Sequence, residues 1–421
     1  MIFFPVRLVL FFLLFPGFSV LASSVLASPV VSPAVVSPSV VSADPAAALA
    51  SGGGLASASA SGGARQRGVA PLEEAENLQI LRKERHQEVR ISNAWPGAPD
   101  LVYHLVPRGI DPGGLDLPPG RVIPVPPRRV VSLSTPNIPF IRDLGELSSL
   151  VGVDTADYVY DEGVRQALRE GAVGTTGAGA QLDLERLLAL RPDLVLLSAY
   201  SPDDPALRRL EATGVPVMVI ADWREATPLG RAEWVRLFGA LYEKDALAQE
   251  LFSDRARRYR DLARRTNRAI PRDARPGVFA NAPWQGQWPL PAGESYLARL
   301  FADAGARYLW ADTRGTGSLF LDLEAVLARA VDAEFWVNLN ATWSSPEDIR
   351  REDPRLTLFR AFREGQVYHH HRRQRARGAN DFWETGVGRP DLVLKDLVAI
   401  FHPQADLVPG HELFFYRRVF P

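Results

Sequence analysis

A twelve-residue element occurs twice in this chain, and the repetition limits the folds that the chain can adopt. Residues 182–193 read LDLERLLALRPD, and residues 321–332, 139 positions later, read LDLEAVLARAVD. An apolar run follows each copy, at residues 194–197 and 333–339. A helix followed by a buried strand at both places predicts two α/β halves of similar build, with a cleft between them.

Each copy of the element begins with the same acidic residues. Asp183 and Asp322 stand where a helix N-cap is expected, so their side chains can accept hydrogen bonds from free backbone N–H groups. Glu185 and Glu324 then fall in the first turn, where a negative charge suits the helix dipole. Two interpretations stay open: these residues only cap the helices, or they are exposed carboxylates that dock a partner at two matched surfaces.

Composition excludes several classes of function. The 421 residues include no cysteine, which excludes disulfides, thiolate catalysis, zinc–thiolate sites and a lipid-modified cysteine. The formal net charge is -1, so no global field favours nucleic acid or an anionic membrane surface. We therefore expect no nucleic-acid partner.

The N-terminus has the features of a secretory signal, predicted at residues 1–27. Arg7 precedes the apolar run 8–15, and small residues follow around Ala22 and Ala27. The alternative is a membrane-spanning anchor, but the run is shorter than the ~20 residues that a span needs, and Pro16 interrupts it. With no cysteine to lipidate, we expect a soluble, non-lipidated protein in an exported compartment, most simply a periplasm.

The rest of the chain divides by composition. Residues 28–70 contain mainly Ala, Ser, Val, Pro and Gly and predict a disordered linker. Short continuous apolar runs separated by helical patterns are typical of parallel sheets buried on both faces. The predicted fold is α/β, with two Rossmann-like lobes with central parallel sheets, joined by a long backbone helix, and a ligand cleft between the lobes. The predicted segments are an N-terminal extension at 71–127 (a short helix in 71–90, then β-rich), an N-terminal lobe at 128–228, a helical connection at 229–270 and a C-terminal lobe at 271–421.

The chain resembles the class III substrate-binding proteins of ABC importers, which serve uptake of vitamin B12, ferric siderophores and haem. The resemblance covers about residues 122–420 and is carried by RVVSLS at 129–134, VGV at 151–153 and LERLLALRPDLV at 184–195. It implies a periplasmic binding component that is not an enzyme and needs no cofactor. Such a protein delivers a metal chelate or a corrinoid to a permease and its ATPase in the inner membrane.

The same resemblance assigns a role to the repeated glutamates. In that family a Glu at the tip of each lobe pairs with arginines of the permease, and by motif match these are Glu185 and Glu324. The second copy departs from the motif, because Ala330 and Val331 stand where the first copy has Arg191 and Pro192.

A tryptophan-rich loop, NAPWQGQWPLP at 281–291, comes directly after a predicted strand. Open α/β sheets bind ligands outside the carboxyl ends of their strands, and aromatic faces suit a large, flat or partly apolar ligand. The alternative is ordinary core tryptophan, which we expect for Trp234 and Trp336. The predicted ligand-binding residues are Ser134, Thr135, Tyr200, Trp223, Trp284, Gln285, Trp288, Trp310, Arg372, Asn380, Asp381 and Trp383.

A basic cluster, HHHRRQRAR, occupies residues 369–377. We interpret it as a solvated loop whose arginines can meet an anionic chelate, because a metal site at His369 and His371 would need a third ligand. No catalytic motif and no metal site are predicted. Two alternatives to the importer function stay open: an exported metal-dependent enzyme that uses Asp312 or Asp381, and a chelate-scavenging protein without a transporter.

Overall fold

Two five-stranded sheets are the centres of two α/β lobes in the computed structural model, which describes residues 71–339 and 342–421. The predicted signal at 1–27 and the predicted linker at 28–70 lie outside the described residues. Among the described residues, none of the helices combines the length and the apolar character needed to cross a membrane.

The N-terminal extension is a four-stranded sheet in the order β1-β2-β3-β4. Its strands are β1 (Leu78–Arg82), β2 (Gln87–Ile91), β3 (Leu101–Pro107) and β4 (Arg121–Val125). The prediction of a helix within 71–90 is therefore wrong, because β1 and β2 in this segment pair as an antiparallel hairpin, with Leu78 opposite Ile91. This pairing buries Leu78, Val89 and Ile91, and that burial outweighs the helix preference of the charged residues between the strands.

Two buried carboxylates hold this extension: Glu233 in the helical connection and Glu225 just before it. Glu233 accepts hydrogen bonds from the backbone N–H groups of residues 73–75 at 2.7–3.1 Å. Glu225 accepts from the N–H groups of residues 76 and 77, both at 3.0 Å. The Tyr103 hydroxyl of the extension also accepts from Val219 N–H, at the edge of the first lobe's sheet. The extension is therefore bonded to the lobe as well as to the connection.

The first lobe contains a wholly parallel sheet in the order β7-β6-β5-β8-β9. Its elements are β5 (Val130–Ser132), α1 (Asn137–Asp143), β6 (Leu150–Val153), α2 (Glu162–Arg169), β7 (Gly174–Thr175), α3 (Leu184–Ala189), β8 (Leu194–Leu197), α4 (Pro205–Glu211) and β9 (Val217–Val219). Strand β8 is buried at every residue, as its continuous apolar run predicts.

The connection consists of α5 (Pro228–Glu233), α6 (Val235–Leu241) and α7 (Asp245–Ala269). Thr227 caps α5 by accepting from Gly230 N–H at 2.9 Å, and Pro228 occupies the first helical position. Lys244 lies in the break between α6 and α7. Helix α7 has 25 residues and is therefore about 37 Å long, which is enough to reach from one lobe to the other.

The second lobe repeats the plan with additions. Its sheet has the order β12-β10-β14-β15-β16, in which only β16 is antiparallel to its neighbour, and β11 and β13 form a separate antiparallel pair. Its elements are β10 (Gly277–Ala280), β11 (Trp288–Pro291), α8 (Tyr296–Asp303), β12 (Arg307–Tyr308), β13 (Ser318–Leu321), α9 (Leu323–Ala330), β14 (Phe335–Val337), α10 (Pro346–Glu352), α11 (Arg360–Arg363), β15 (Val367–His369), α12 (Thr385–Gly388), α13 (Pro390–Phe401) and β16 (Arg417–Arg418).

The duplicated element occupies the same place in both lobes. Helix α3 leads into β8, which lies beside β5, the first strand of its sheet. Helix α9 leads into β14, which lies beside β10, the first strand of the second sheet. Asp183 accepts from Arg186 N–H at 3.0 Å and Asp322 from Ala325 N–H at 2.7 Å. The prediction of two similar halves with Asp-capped helices is confirmed.

Candidate ligand-binding cleft

Most of the predicted ligand-binding residues follow the carboxyl ends of strands. In the first lobe Ser134 and Thr135 follow β5, Tyr200 follows β8 and Trp223 follows β9. In the second lobe Trp284 follows β10 and Arg372 follows β15. In parallel sheets these ends lie along one edge, which is where the lobe presents its loops to a ligand.

Tyr200 and Trp223 form an aromatic pair in the first lobe. Their ring centroids are 5.0 Å apart, and the Arg224 guanidinium lies 5.3 Å from the Trp223 ring centroid. Burial, followed by the nearby Asp222 carboxylate, raises the pKa of the Tyr200 hydroxyl. The indole Nε1 of Trp223 is buried and has no hydrogen-bond partner among the described residues. A buried donor without a partner is costly unless a ligand or water completes it.

An ion pair near this aromatic pair joins the first lobe to the helical connection. Arg231 Nε donates to Asp222 at 2.8 Å, and the Asp222 side chain is only 4% exposed. The same guanidinium lies 5.7 Å from the ring centroid of Tyr296, at the start of α8 in the second lobe. Arg231 therefore contacts an acidic residue of the first lobe and an aromatic ring of the second.

Asn338 in the second lobe was not predicted. It follows β14 directly, has φ of 58° and is 5% exposed. Its Oδ1 accepts from the Tyr416 hydroxyl at 2.7 Å, whereas its Nδ2 has no hydrogen-bond partner among the described residues. A left-handed residue at a strand end is a strained conformation that Asn tolerates better than most residues. Asn338 thus presents a second unpaired donor.

Asp154 in the first lobe was also missed. It follows β6 directly, and its Oδ1 is buried without a hydrogen-bond partner among the described residues. Burial raises the pKa of the Asp154 carboxyl to about 6. The available signal for both missed residues was a polar side chain immediately after an apolar strand run.

The prediction for Trp288 is wrong, and so is that for Trp310. Trp288 is 0% exposed, its ring is 5.5 Å from that of Trp336, and its Nε1 donates to Ala280 O at 2.9 Å. The pairing of β11 with β13 turns the Trp288 side chain into the lobe rather than towards the cleft. Trp310 is 3% exposed and lies under the Arg329 guanidinium. Trp284 is half-buried and Gln285 is exposed, so both stay accessible to a ligand.

Asn380 and Asp381 are occupied within their own lobe, contrary to the prediction. Asn380 Oδ1 accepts from Phe382 N–H at 3.0 Å, and Asp381 accepts from Arg373 Nε at 2.6 Å. Both residues are buried, Asp381 with 1% exposure. Trp383 is half-buried, and Arg372 is exposed with Glu412 at 3.7 Å.

The three histidines are buried, so the prediction of a solvated loop is wrong there. Arg417 Nε on the neighbouring strand β16 donates to His369 Nε2 at 2.9 Å, and the His370 ring stacks on Phe382 at 4.3 Å. Burial lowers the pKa of His369 to about 3 and that of His371 to about 4. These histidines are therefore neutral core residues at physiological pH. Across residues 71–339 and 342–421, no group of three or more His, Asp or Glu side chains is arranged to hold a metal ion.

The carboxylates of the alternative enzyme function are both paired with arginines. Asp312 pairs with Arg329 at 2.6 Å, and Asp381 pairs with Arg373. Each carboxylate is therefore neutralised by an arginine of its own lobe.

The two repeated glutamates differ in their surroundings. Glu185 is exposed and forms no ion pair with another residue in the described part of the chain. Glu324 is 69% exposed and pairs with Arg355 at 2.6 Å. The second lobe therefore presents a neutralised carboxylate where the first presents a free one.

Comparison with known proteins agrees with this architecture. Residues 130–373 match the family model described as periplasmic binding protein. An uncharacterized lipoprotein of Methanocaldococcus jannaschii is 25% identical over 308 residues, covering 71% of this chain and 70% of that protein. A solved periplasmic heme binding protein from Pseudomonas aeruginosa is 26% identical with a TM-score of 0.50, covering 66% of this chain and 94% of that one. A possible iron-binding (periplasmic solute-binding) protein from Staphylococcus epidermidis shares the fold, with 17% identity, a TM-score of 0.50 and coverage of 65% and 98%.

Proposed function

Because the chain belongs to the periplasmic binding protein family, we propose that it is the substrate-binding component of an ABC importer. It binds one ligand between its lobes and delivers that ligand to a permease and its ATPase in the inner membrane. No covalent chemistry is needed, so the protein is not an enzyme. The predicted signal and the absence of cysteine support a non-lipidated periplasmic protein, although the archaeal relative is named a lipoprotein.

The ligand that we propose is an iron chelate, either haem or a ferric siderophore, or else cobalamin. The observation that carries this proposal is the group of unpaired polar atoms at strand ends of both lobes, on Asp154, Trp223 and Asn338. Two of them are donors, which suits oxygen acceptors on a chelate, and the Tyr200–Trp223 pair supplies aromatic surface. The similarity to the heme binding protein of Pseudomonas aeruginosa favours haem among these ligands.

The ligand surface also includes accessible residues around these atoms. Ser134 and Thr135 in the first lobe and Trp284, Gln285 and Trp383 in the second are exposed or half-buried. Their polar and aromatic side chains suit a ligand that is partly apolar and carries oxygen acceptors.

Docking on the permease is the second half of the proposal. Glu185 and Glu324 are exposed at the starts of matched helices, and carboxylates there can pair with permease arginines. Glu185 is the stronger contact, because Arg355 already neutralises Glu324. This docking role is distinct from helix capping, because the side chains that cap the two helices are those of Asp183 and Asp322.

The experiment is a tryptophan fluorescence titration of the full chain with haem, a ferric hydroxamate, a ferric catecholate and cobalamin. We expect saturable binding of one of these, since Trp223 and Trp284 are near the proposed site. The visible absorption spectrum of the protein purified from its native host narrows the choice, because all four absorb visible light. Absence of saturable binding with every probe overturns the ligand class.

A further inference from the structure

A hairpin-like segment of the second lobe reaches across to the first lobe at the edge of the cleft. Residues 373–384 follow β15, and their ends are tied by Arg375 N–H to Ala379 O at 2.8 Å and Asp381 N–H to Arg373 O at 3.0 Å. They contact residues 157–162, which follow β6 in the first lobe. Both segments follow the carboxyl ends of parallel strands, so their contact lies on the side of the sheets where the cleft opens.

The closest contact uses a buried carboxylate. Glu384 is 1% exposed and accepts from the backbone N–H groups of Tyr160 and Asp161, one on each carboxyl oxygen, both at 2.8 Å. Two hydrogen bonds to one carboxylate fix both its position and its orientation. Removal of the carboxylate leaves two backbone donors of the first lobe without their acceptor.

Arginines of the same segment form further contacts with the first lobe. Arg375 donates from Nε to Tyr160 O at 3.1 Å and from Nη2 to Glu162 at 2.8 Å. The guanidinium groups of Arg373 and Arg375 lie 5.1 and 4.7 Å from the centroid of the Tyr160 ring. Arg377 and Asp157 are 3.5 Å apart. The contact therefore combines charge, hydrogen bonds and an aromatic ring close to two cations.

The residues behind this segment explain why it holds its shape. Asp381 accepts from Arg373 Nε at 2.6 Å, and the same Arg373 guanidinium lies 4.3 Å from the centroid of the Phe414 ring. Asp381, predicted from the sequence to bind ligand, thus orients an arginine that contacts the first lobe.

We propose that residues 373–384 form an inter-lobe clasp, which fixes the separation of the two lobes on the β6 and β15 side of the cleft. The ligand then enters from the opposite side, past β9 and β10, where Trp223 and Trp284 lie. This inference concerns the ligand-free protein and stands whichever ligand the cleft accepts.

The test measures the distance between the lobes directly. The chain has no cysteine, so Arg209→Cys on α4 and Glu352→Cys at the end of α10, both exposed positions, place one spin label on each lobe without competing sites. Pulsed dipolar spectroscopy of the ligand-free full chain then gives the distribution of separations. With the clasp intact, we expect one narrow distribution.

Two variants break the clasp and one matched variant does not. Arg375→Ala removes a side chain that is 34% exposed, and Glu384→Ala removes the buried carboxylate. Arg375→Ala loses hydrogen bonds made by a charged group, which changes an equilibrium constant by about tenfold or more. Glu384→Ala leaves two backbone donors of the first lobe without their acceptor. Each variant should therefore add a population at longer separation. Arg329→Ala is the control, because the contacts of this 40% exposed arginine within the described ranges, with Asp312 and with the Trp310 ring, lie in its own lobe.

The outcomes separate cleanly. Broadening in the clasp variants, with a control distribution like that of the parent, supports the clasp. Distributions that superimpose on the parent in Arg375→Ala and Glu384→Ala overturn it. If Glu384→Ala fails to fold, which circular dichroism reveals, Arg375→Ala decides alone. The distance measurement uses no ligand, so a negative result overturns the clasp without bearing on the importer function. In the same way, absence of ligand binding in the titration does not bear on the clasp.

Discussion

Replacement of Glu233 by alanine should release the N-terminal extension. The Glu233 side chain is fully buried and accepts from three consecutive backbone N–H groups, those of Glu73, Glu74 and Ala75. A hydrogen bond to a charged group contributes about 1.5–3 kcal/mol, and water can replace part of this because residues 73–75 are partly exposed. For Glu233→Ala we therefore expect a loss of about 3–6 kcal/mol in the free energy of unfolding, a large share of the total.

Urea unfolding followed by tryptophan fluorescence measures this loss, and hydrogen exchange at residues 73–75 shows where protection disappears. The matched control is Glu250→Ala, an exposed glutamate on α7 without an ion pair to any residue in the described ranges, which should change the free energy of unfolding by less than about 0.5 kcal/mol. A loss below about 1 kcal/mol in Glu233→Ala, with protection at 73–75 retained, would refute the reasoning.

Three further outcomes follow from the structure. Burial raises the pKa of Glu384 to about 8 from 4.5, so the folded state binds more protons than the unfolded state between these values. The free energy of unfolding should therefore fall as pH rises from about 4.5 to about 8. Glu384→Gln should remove this part of the pH dependence in urea unfolding, and an unchanged pH dependence contradicts it. Trp288→Ala should cost about 3–5 kcal/mol in thermal or urea unfolding without changing ligand affinity per folded molecule, whereas lost affinity at full stability would return Trp288 to the cleft. Glu185→Lys should abolish ligand uptake in cells while leaving affinity intact, and Glu324→Lys should have a smaller effect because Arg355 already pairs with Glu324; reduced affinity in Glu185→Lys would make Glu185 structural or ligand-facing.

The parts of the fold that depend on neighbouring residues could be predicted from the sequence. The Asp caps of α3 and α9, the Pro at the start of α5 and the apolar run of β8 are local signals, and each defines its element. Trp234 and Trp336 are fully buried, as their positions inside regular elements predicted.

The parts of the fold that depend on pairing between distant residues could not be predicted from the sequence. The direction of Trp288 is set by β13, which lies about 30 residues further along the chain, and the burial of His369 by Arg417 on β16. Glu233 has its acceptor role only because a segment 160 residues earlier is placed against it. Such contacts leave no mark in local composition, and for the same reason the clasp residues Asp381 and Glu384 gave no sign of their contacts in the sequence.

Ligand affinity in variants of two unpaired donors tests whether the ligand lies at the strand ends between the lobes. Trp223→Phe removes the indole Nε1–H and Asn338→Asp removes the Nδ2 donor, while Trp343→Phe, which replaces a tryptophan of the second lobe's core, serves as the control. For whichever probe binds the parent protein, calorimetry should show affinity about tenfold lower in the first two variants and unchanged in the control. Parent affinity in both Trp223→Phe and Asn338→Asp would contradict a ligand site at these strand ends.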